Sequence, residues 1–357
     1  MASSPKKRKI SESEHVKIDQ IINLGIPHIG EEIFESIDTK SLVGFLSVSN
    51  AWKELATNAL FKRYKSFRIL TAIKVCPEEV VKILIERLET EELNVKTLDC
   101  KTPFMLACQL GRSDVVKSFL ENSETKAIEL NTRDEFGLTG FMIACKFGRT
   151  QVVKALLEHQ GSTQFDLNAK EKYGQTAFML ACYGEHLDVI KLLMDYSESK
   201  RIDLNATDED GYTALMNSCG GRWRQPNFYP KKKVVELLLT HSNSKGIDFN
   251  AILEWENMSA FMMACSAYRG NEDIVKLFID HSDSQNIDLN FKSTSTAGVV
   301  VERTAFSYAC SSGNKSVVQL LLNHPSKIHV DYCDRLRQMA KMRRDFRGCG
   351  CYECASE

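Results

Sequence analysis

The chain has 357 residues, 43% apolar and 26% charged, enough for two or three folded units and too apolar for wholesale disorder. Its 46 Lys and Arg balance 47 Asp and Glu to a formal charge of −1, which excludes a protein that coats nucleic acid or anionic lipid with its whole surface. No apolar-leaning stretch approaches the ~20 residues that cross a bilayer. Residues 1–14 carry no apolar segment, so no secretory leader is expected and the twelve cysteines are expected to be reduced.

Residues 1–22 read as a disordered tail, basic and then acidic. Within it PKKRK, residues 5–9, resembles a monopartite nuclear import signal, in which Lys6, Lys7, Arg8 and Lys9 would be read in an extended conformation. Residues 23–66 read as three short amphipathic helices. Ile33, Phe34 and Ile37 share one face of the first. Asp38 or Thr39 caps a second carrying Leu42, Phe45 and Leu46, and Ser49 or Asn50 a third carrying Trp52, Leu55, Ala56 and Ala59. Forty residues of this kind bury little alone, so their apolar face is expected to meet a partner or the next part of the chain. The segment resembles an F-box: Ile26-Pro27, Glu32-Ile33-Phe34, Asp38 with Leu42, and Val48 with Trp52 fall on that motif, with two extra residues after Pro27 and Ile in place of the opening Leu. The resemblance implies a face of Ile26, Pro27, Ile33, Phe34, Ile37, Leu42, Val48 and Trp52 that docks on a Skp adaptor. The alternative is a helical cap on the region C-terminal to it.

From about residue 67 to 331 the sequence repeats. Asn94, Asn131, Asn168, Asn205 and Asn250 close segments such as IELN, FDLN, IDLN and IDFN, and Asn290 closes a sixth. Thr102, Thr139, Thr176 and Thr213 keep a 37-residue period, and Ser259 and Thr304 continue it after gaps of 46 and 45. Each unit reads as a tight turn with Gly at positive φ, as in Asp134-Glu135-Phe136-Gly137, then a Thr-capped helix, then after another Gly a second helix with one apolar stripe. Ala72 and Val80-Val81 mark a degenerate first unit without the Thr cap, making about seven in all.

DCKTPFMLAC, DEFGLTGFMIAC, EKYGQTAFMLAC and DEDGYTALMNSC resemble the ankyrin-repeat signature. That resemblance implies helix pairs stacked side by side, with turns projecting as fingers over a concave face. The family's His position holds Met105, Met142, Met179, Met216 and Met262, so apolar packing is expected where the family forms hydrogen bonds. Cys100 and Glu185 stand at glycine positions, where distorted turns are expected; Asn257, at another, tolerates the left-handed region. Cys108, Cys145, Cys182, Cys219, Cys265 and Cys310 are one small-residue position counted six times, expected to be buried and inert. His159, His241, His281 and His324 end outer helices, where an imidazole suits the dipole.

Three stretches break the array. GRWRQPNFYPKKK, residues 221–233, inserts Arg222, Arg224, Lys231, Lys232 and Lys233 among Trp223, Phe228 and Tyr229, either a tolerated loop or a site for an acidic or nucleic-acid partner. KSTSTAGVVVER, residues 292–303, lengthens a finger into an expected hairpin. Residues 332–357 read as a basic helix and a tail, in which Cys349, Cys351 and Cys354 with Cys333 lack the paired spacing of a common zinc site.

The expected fold is all-α: a short F-box-like module followed by an ankyrin solenoid. No catalytic constellation, phosphate loop or metal motif is present, so a binding protein without enzymatic activity, cofactor or metal is expected. Taken together, the two resemblances imply a substrate receptor of an SCF-type ubiquitin ligase, nuclear or cytoplasmic, joining a Skp adaptor and a cullin-type complex to a protein held on the fingers. Arg133, Glu135, Phe136, Glu171, Lys172, Tyr173, Asp208, Glu209, Asp210 and Tyr212 are the candidate recognition residues, expected to be exposed. A plain ankyrin scaffold and a nucleic-acid module using the basic loop are the alternatives.

Overall fold

A computed structural model describes residues 37–47, 50–64, 69–160, 165–220, 229–241, 246–266, 271–294 and 302–330. The chain divides into two compact units, residues 1–144 with 151–165, and residues 145–150 with 166–357.

Ahead of the repeats lie α1 (Thr39–Phe45) and α2 (Asn50–Tyr64). Asp38 caps α1: its carboxylate accepts the Ser41 N–H at 3.1 Å and the Ser41 hydroxyl at 2.7 Å. The Ser41 hydroxyl is the main cause holding its pKa below the usual range. A capping residue needs extended backbone, and Asp38 sits at φ −69°, ψ 153°. Ile37 before it is therefore non-helical, contrary to the helix expected to carry it. Leu46 caps the end of α1 rather than extending its face. Arg63 closes the corner from the far end of α2, donating to the Ile37 carbonyl at 2.6 Å and the Thr39 hydroxyl at 3.2 Å.

The first unit continues through α3 (Ile69–Val75), α4 (Glu78–Arg87), α5 (Thr90–Leu93), α6 (Pro103–Leu110) and α7 (Ser113–Glu121). Helix α3 stacks on α6 and α4 on α7, with Ala72, Val80 and Val81 buried, as the degenerate first repeat requires. Helix α2 lies against α4, where Arg87 donates to Asn58 at 2.8 Å and sits over the Phe61 ring at 5.5 Å. Ala56, Ala59 and Leu60 are buried on α2. The next pair is α8 (Gly140–Lys146) and α9 (Thr150–Glu158).

The second unit contains α10 (Ala177–Tyr183), α11 (Leu187–Asp195), α12 (Ser197–Lys200), α13 (Ala214–Ser218), α14 (Lys232–Thr240), α15 (Ala260–Ser266), α16 (Glu272–His281), α17 (Ala305–Ser312) and α18 (Lys315–Leu322). Inner helices α10, α13, α15 and α17 stack in order, and outer helices α11, α14, α16 and α18 form a second layer behind them. The predicted hydroxyls start each inner helix: Thr102, Thr139, Thr176, Thr213, Ser259 and Thr304 accept the N–H three residues on at 3.2–3.4 Å. The Met residues and the six Cys residues of these helices are buried. Burial raises the pKa of the Cys108, Cys182, Cys219 and Cys265 thiols far above the ordinary value, so they stay protonated and inert. His281 and His324 lie against carbonyls four residues back, at 2.9 and 2.8 Å, as helix-end residues.

Two expectations change. The fold is not purely helical: β1 (Ile252–Leu253) pairs with β2 (Met258–Ser259), and β3 (Ser293–Thr294) with β4 (Glu302–Arg303), both antiparallel, the second pair being the hairpin expected over residues 292–303. The regular finger spans eight positions from Asn205 to Thr213, whereas Asn250 to Ser259 spans nine and Asn290 to Thr304 fourteen, so among the described residues the two strand pairs fall where a finger is lengthened. The turns at Cys100 and Glu185 are not distorted; both residues take the left-handed conformation, φ 59° and 55°. The turn's own hydrogen bonds hold Glu185 there, Glu185 N–H to the Cys182 carbonyl at 3.2 Å and His186 N–H to the Ala181 carbonyl at 3.1 Å. They outweigh a strain of about 1–2 kcal/mol.

Candidate interaction surface

Each finger rises from an Asn. Asn94 donates its amide to the Ala127 carbonyl at 3.0 Å and accepts the Glu129 N–H at 2.9 Å. In the second unit Asn168, Asn205, Asn250 and Asn290 repeat this two-way contact with Arg201 and Asp203, Gly246 and Asp248, Asn286 and Asp288, and Lys327 and His329, all at 2.7–2.9 Å. A primary amide offers a donor and an acceptor side by side, which matches a carbonyl and the N–H two residues later on the neighbouring repeat. That is why the Asn recurs.

Above the Asn the turn is closed by a carboxylate. Asp134 accepts the N–H groups of Phe136 and Leu138, Glu171 those of Tyr173 and Gln175, and Asp208 those of Asp210 and Tyr212, at 2.9–3.1 Å. The exposure expected of the candidate recognition residues therefore fails at Glu171 and Asp208. Their charge turns inward to the finger's own backbone, and Tyr212 is buried beside them. Arg133, Glu135, Phe136, Lys172, Tyr173, Glu209 and Asp210 are exposed as expected. In the first finger Thr97 takes the carboxylate's place, its hydroxyl accepting the Lys101 N–H at 3.0 Å. The same hydroxyl, and then Lys101, lowers the pKa of Asp99 to about 2.

At the tips the side chains vary. In the first unit Leu98 and Phe136 stand out to solvent. In the second, Tyr173 and Trp255 are 63% and 55% exposed. Gly174 lets consecutive fingers touch: a Cβ there would lie 2.5 Å from the Glu209 nitrogen, which donates to the Tyr173 carbonyl at 3.2 Å. Trp255 is missing from the candidates drawn from sequence because the spacing of its finger is irregular. Aligning EWEN with DEFG and EKYG places it where Glu135 and Lys172 stand, which is the signal that finds it.

Between the helices a second set of contacts joins successive repeats at one position. Arg112 donates to the carbonyls of Ile73 and Cys76 at 2.6 and 2.9 Å. In the second unit His186 meets the Lys146 carbonyl at 2.9 Å, Lys231 donates to that of Tyr183 at 2.7 Å, and Asn271 to that of Cys219 at 3.1 Å. Lys231 also approaches Glu185 at 3.4 Å and the Tyr183 ring at 5.0 Å, and Lys232 pairs with Asp273 at 2.9 Å. Two of the basic loop's cations are thus structural. Arg222, Trp223, Arg224 and Phe228 lie outside the described residues, whereas Tyr229 and Lys233 are exposed.

Of the face implied by the F-box resemblance, Ile37 and Leu42 are 2% and 0% exposed, so neither presents surface to a partner. Helix α1 packs against α2, and the Ile37 carbonyl accepts from Arg63 of α2. Ile26, Pro27, Ile33, Phe34 and Val48 lie outside the described residues, as does the Trp52 side chain. The import cluster Lys6, Lys7, Arg8 and Lys9 and the region from 331 onward, with Cys333, Cys349, Cys351 and Cys354, also lie outside them. Among the described residues no group of His, Cys, Asp and Glu is arranged to hold a metal, and no helix is long and apolar enough to cross a membrane.

Comparison with known proteins agrees with this geometry. No curated protein matches the chain. Among solved structures it is similar to the ankyrin repeat domain of Bcl-3, described as a unique member of the IkappaB protein family, with 22% identity, a TM-score of 0.56, and coverage of 72% of this chain and 98% of that one. At that identity the likeness concerns the fold. The family profile "Ankyrin repeats (3 copies)" matches residues 69–170, 124–202, 141–251 and 227–333, most of the chain. With its Thr-capped inner helices, Asn-based fingers and paired outer helices, the chain belongs to the ankyrin-repeat family, a protein–protein interaction module.

Proposed function

We propose that the chain is a non-enzymatic adaptor that captures a partner protein on its finger tips. The observation that carries this reading is the contrast within each finger: buried groups fix the turn, while Phe136, Tyr173 and Trp255 are held out to solvent on rigid supports. Exposed aromatics on a preorganised backbone lose little freedom on binding and are the side chains that dominate interface energies. A photo-cross-linking amino acid at Phe136 should give a discrete protein adduct in cells, and one at Lys191 on the outer helix none. Absence of any adduct from Phe136 and from Tyr173 would overturn the reading.

The finer reading is a substrate receptor of an SCF-type ubiquitin ligase, working in the nucleus or cytoplasm through a Skp adaptor and a cullin-type complex. Its support is the F-box-like order of residues, with Asp38 capping the helix that carries Leu42. The packing of α2 on α4 and the burial of Ile37 and Leu42 favour the competing role, a helical cap on the first repeat. Purified Skp adaptor should be retained by the full chain and lost with Ile33→Ala plus Trp52→Ala. If wild type retains no adaptor, the segment is a cap and the adaptor reading stands without the ligase.

A further inference from the structure

Three consecutive fingers of the second unit carry aromatic or aliphatic surface and an excess of exposed carboxylates, with Lys172 as the exposed cation of finger 171–174. Tyr173, Trp255 and Ile252 expose ring or aliphatic surface, and Glu209, Asp210 and Glu254 expose carboxylates on the same three consecutive fingers. The fingers are joined to each other: Glu209 N–H donates to the Tyr173 carbonyl at 3.2 Å, and the Trp255 indole N–H to the Asp210 carbonyl at 3.0 Å. The indole bond bridges the finger that carries Glu209 and Asp210 and the finger that carries Glu254. Among the described residues neither Glu209 nor Glu254 forms an ion pair.

From this we infer that fingers 171–174, 208–211 and 252–259 form a docking surface for a Lys/Arg-rich peptide segment of a partner protein. The inference rests on the adaptor reading and names the chemistry of its partner. Cations are attracted to the faces of Trp and Tyr rings, most strongly where carboxylates flank the ring, and a Trp already held by a hydrogen bond loses little rotamer freedom when covered. With a formal charge of −1 the chain as a whole draws cations only weakly, so selectivity for a basic peptide has to come from a local surface.

The test is fluorescence polarisation of the full chain with a labelled peptide of alternating Lys/Arg and Gly/Ser, compared with the same peptide carrying Glu for Lys/Arg. Only the basic peptide should bind, and more weakly as salt rises. Trp255→Ala should weaken binding about tenfold, as should Glu209→Gln plus Glu254→Gln, which preserves side-chain shape. Glu236→Gln plus Glu272→Gln, the same charge change on exposed outer-helix positions, should leave affinity unchanged. The inference is overturned if the basic peptide fails to bind, if the acidic peptide binds as well, or if the outer-helix pair matters as much as the finger pair. Those results leave the adaptor reading to its own cross-linking test, which makes no assumption about partner charge.

Discussion

The base and the tip of a finger lie a few residues apart and obey different rules. At the base, Asn94, Asn168, Asn205, Asn250 and Asn290 do one job, because only a primary amide meets a carbonyl and an N–H together on the adjoining repeat. At the tip, Leu98, Phe136, Tyr173, Asp210 and Trp255 share neither size nor charge. Repetition within one chain marks where backbone geometry dictates the residue, and variation marks where the turn leaves it open and a partner's chemistry can decide.

The comparison breaks most sharply at the turn carboxylates. Asp208→Ala leaves the N–H groups of Asp210 and Tyr212 without their acceptor and should cost about 2–3 kcal/mol, read as a lower urea midpoint. An unchanged midpoint would mean that Asp208 belongs with the tips. Glu185→Gly sharpens the comparison in the opposite direction. It relieves a left-handed non-glycine at the price of an exposed contact with Lys231, and should stabilise the chain by about 1 kcal/mol.

Much of this was legible in sequence and some was not, for physical reasons. The 37-residue register of Thr and Asn fixed the helix starts, because a cap and a ladder residue each recur at one geometric position. Asp38 was likewise readable as a cap. Glu171 and Asp208 were not, because an acidic residue in a turn reads the same whether it faces water or folds back onto its own N–H groups. Ile37 fitted a helical face by spacing, but the cap at Asp38 overrode it. Trp255 escaped because a single extra residue shifts its finger out of register.

Ionisation gives two smaller tests. Raised pKa values keep the thiols of Cys108, Cys182, Cys219 and Cys265 protonated, so their contribution is fully present below the ordinary value of about 9 and falls as pH rises past it. Alkylation followed by peptide mapping should label exposed Cys100 in the native chain and these four only in denaturant. Asp99 has a lowered pKa, so its contribution is present above the ordinary value of 3.8 and lost as pH falls through about 2. Its carboxyl carbon should titrate near 2 by NMR, and Thr97→Val should return the midpoint toward 3.8. The effect on stability is small because the carboxylate lies at the surface.

Urea unfolding of Asn205→Ala and Trp255→Ala side by side tests the division of labour most directly. Asn205→Ala should lose about 1–2 kcal/mol with the two contacts to Gly246 and Asp248, while Trp255→Ala, which gives up its exposed indole bond to the Asp210 carbonyl, should lose less, about 0.5 kcal/mol. A large loss for Trp255→Ala with none for Asn205→Ala would contradict it, making the exposed ring part of the scaffold and the Asn ladder incidental.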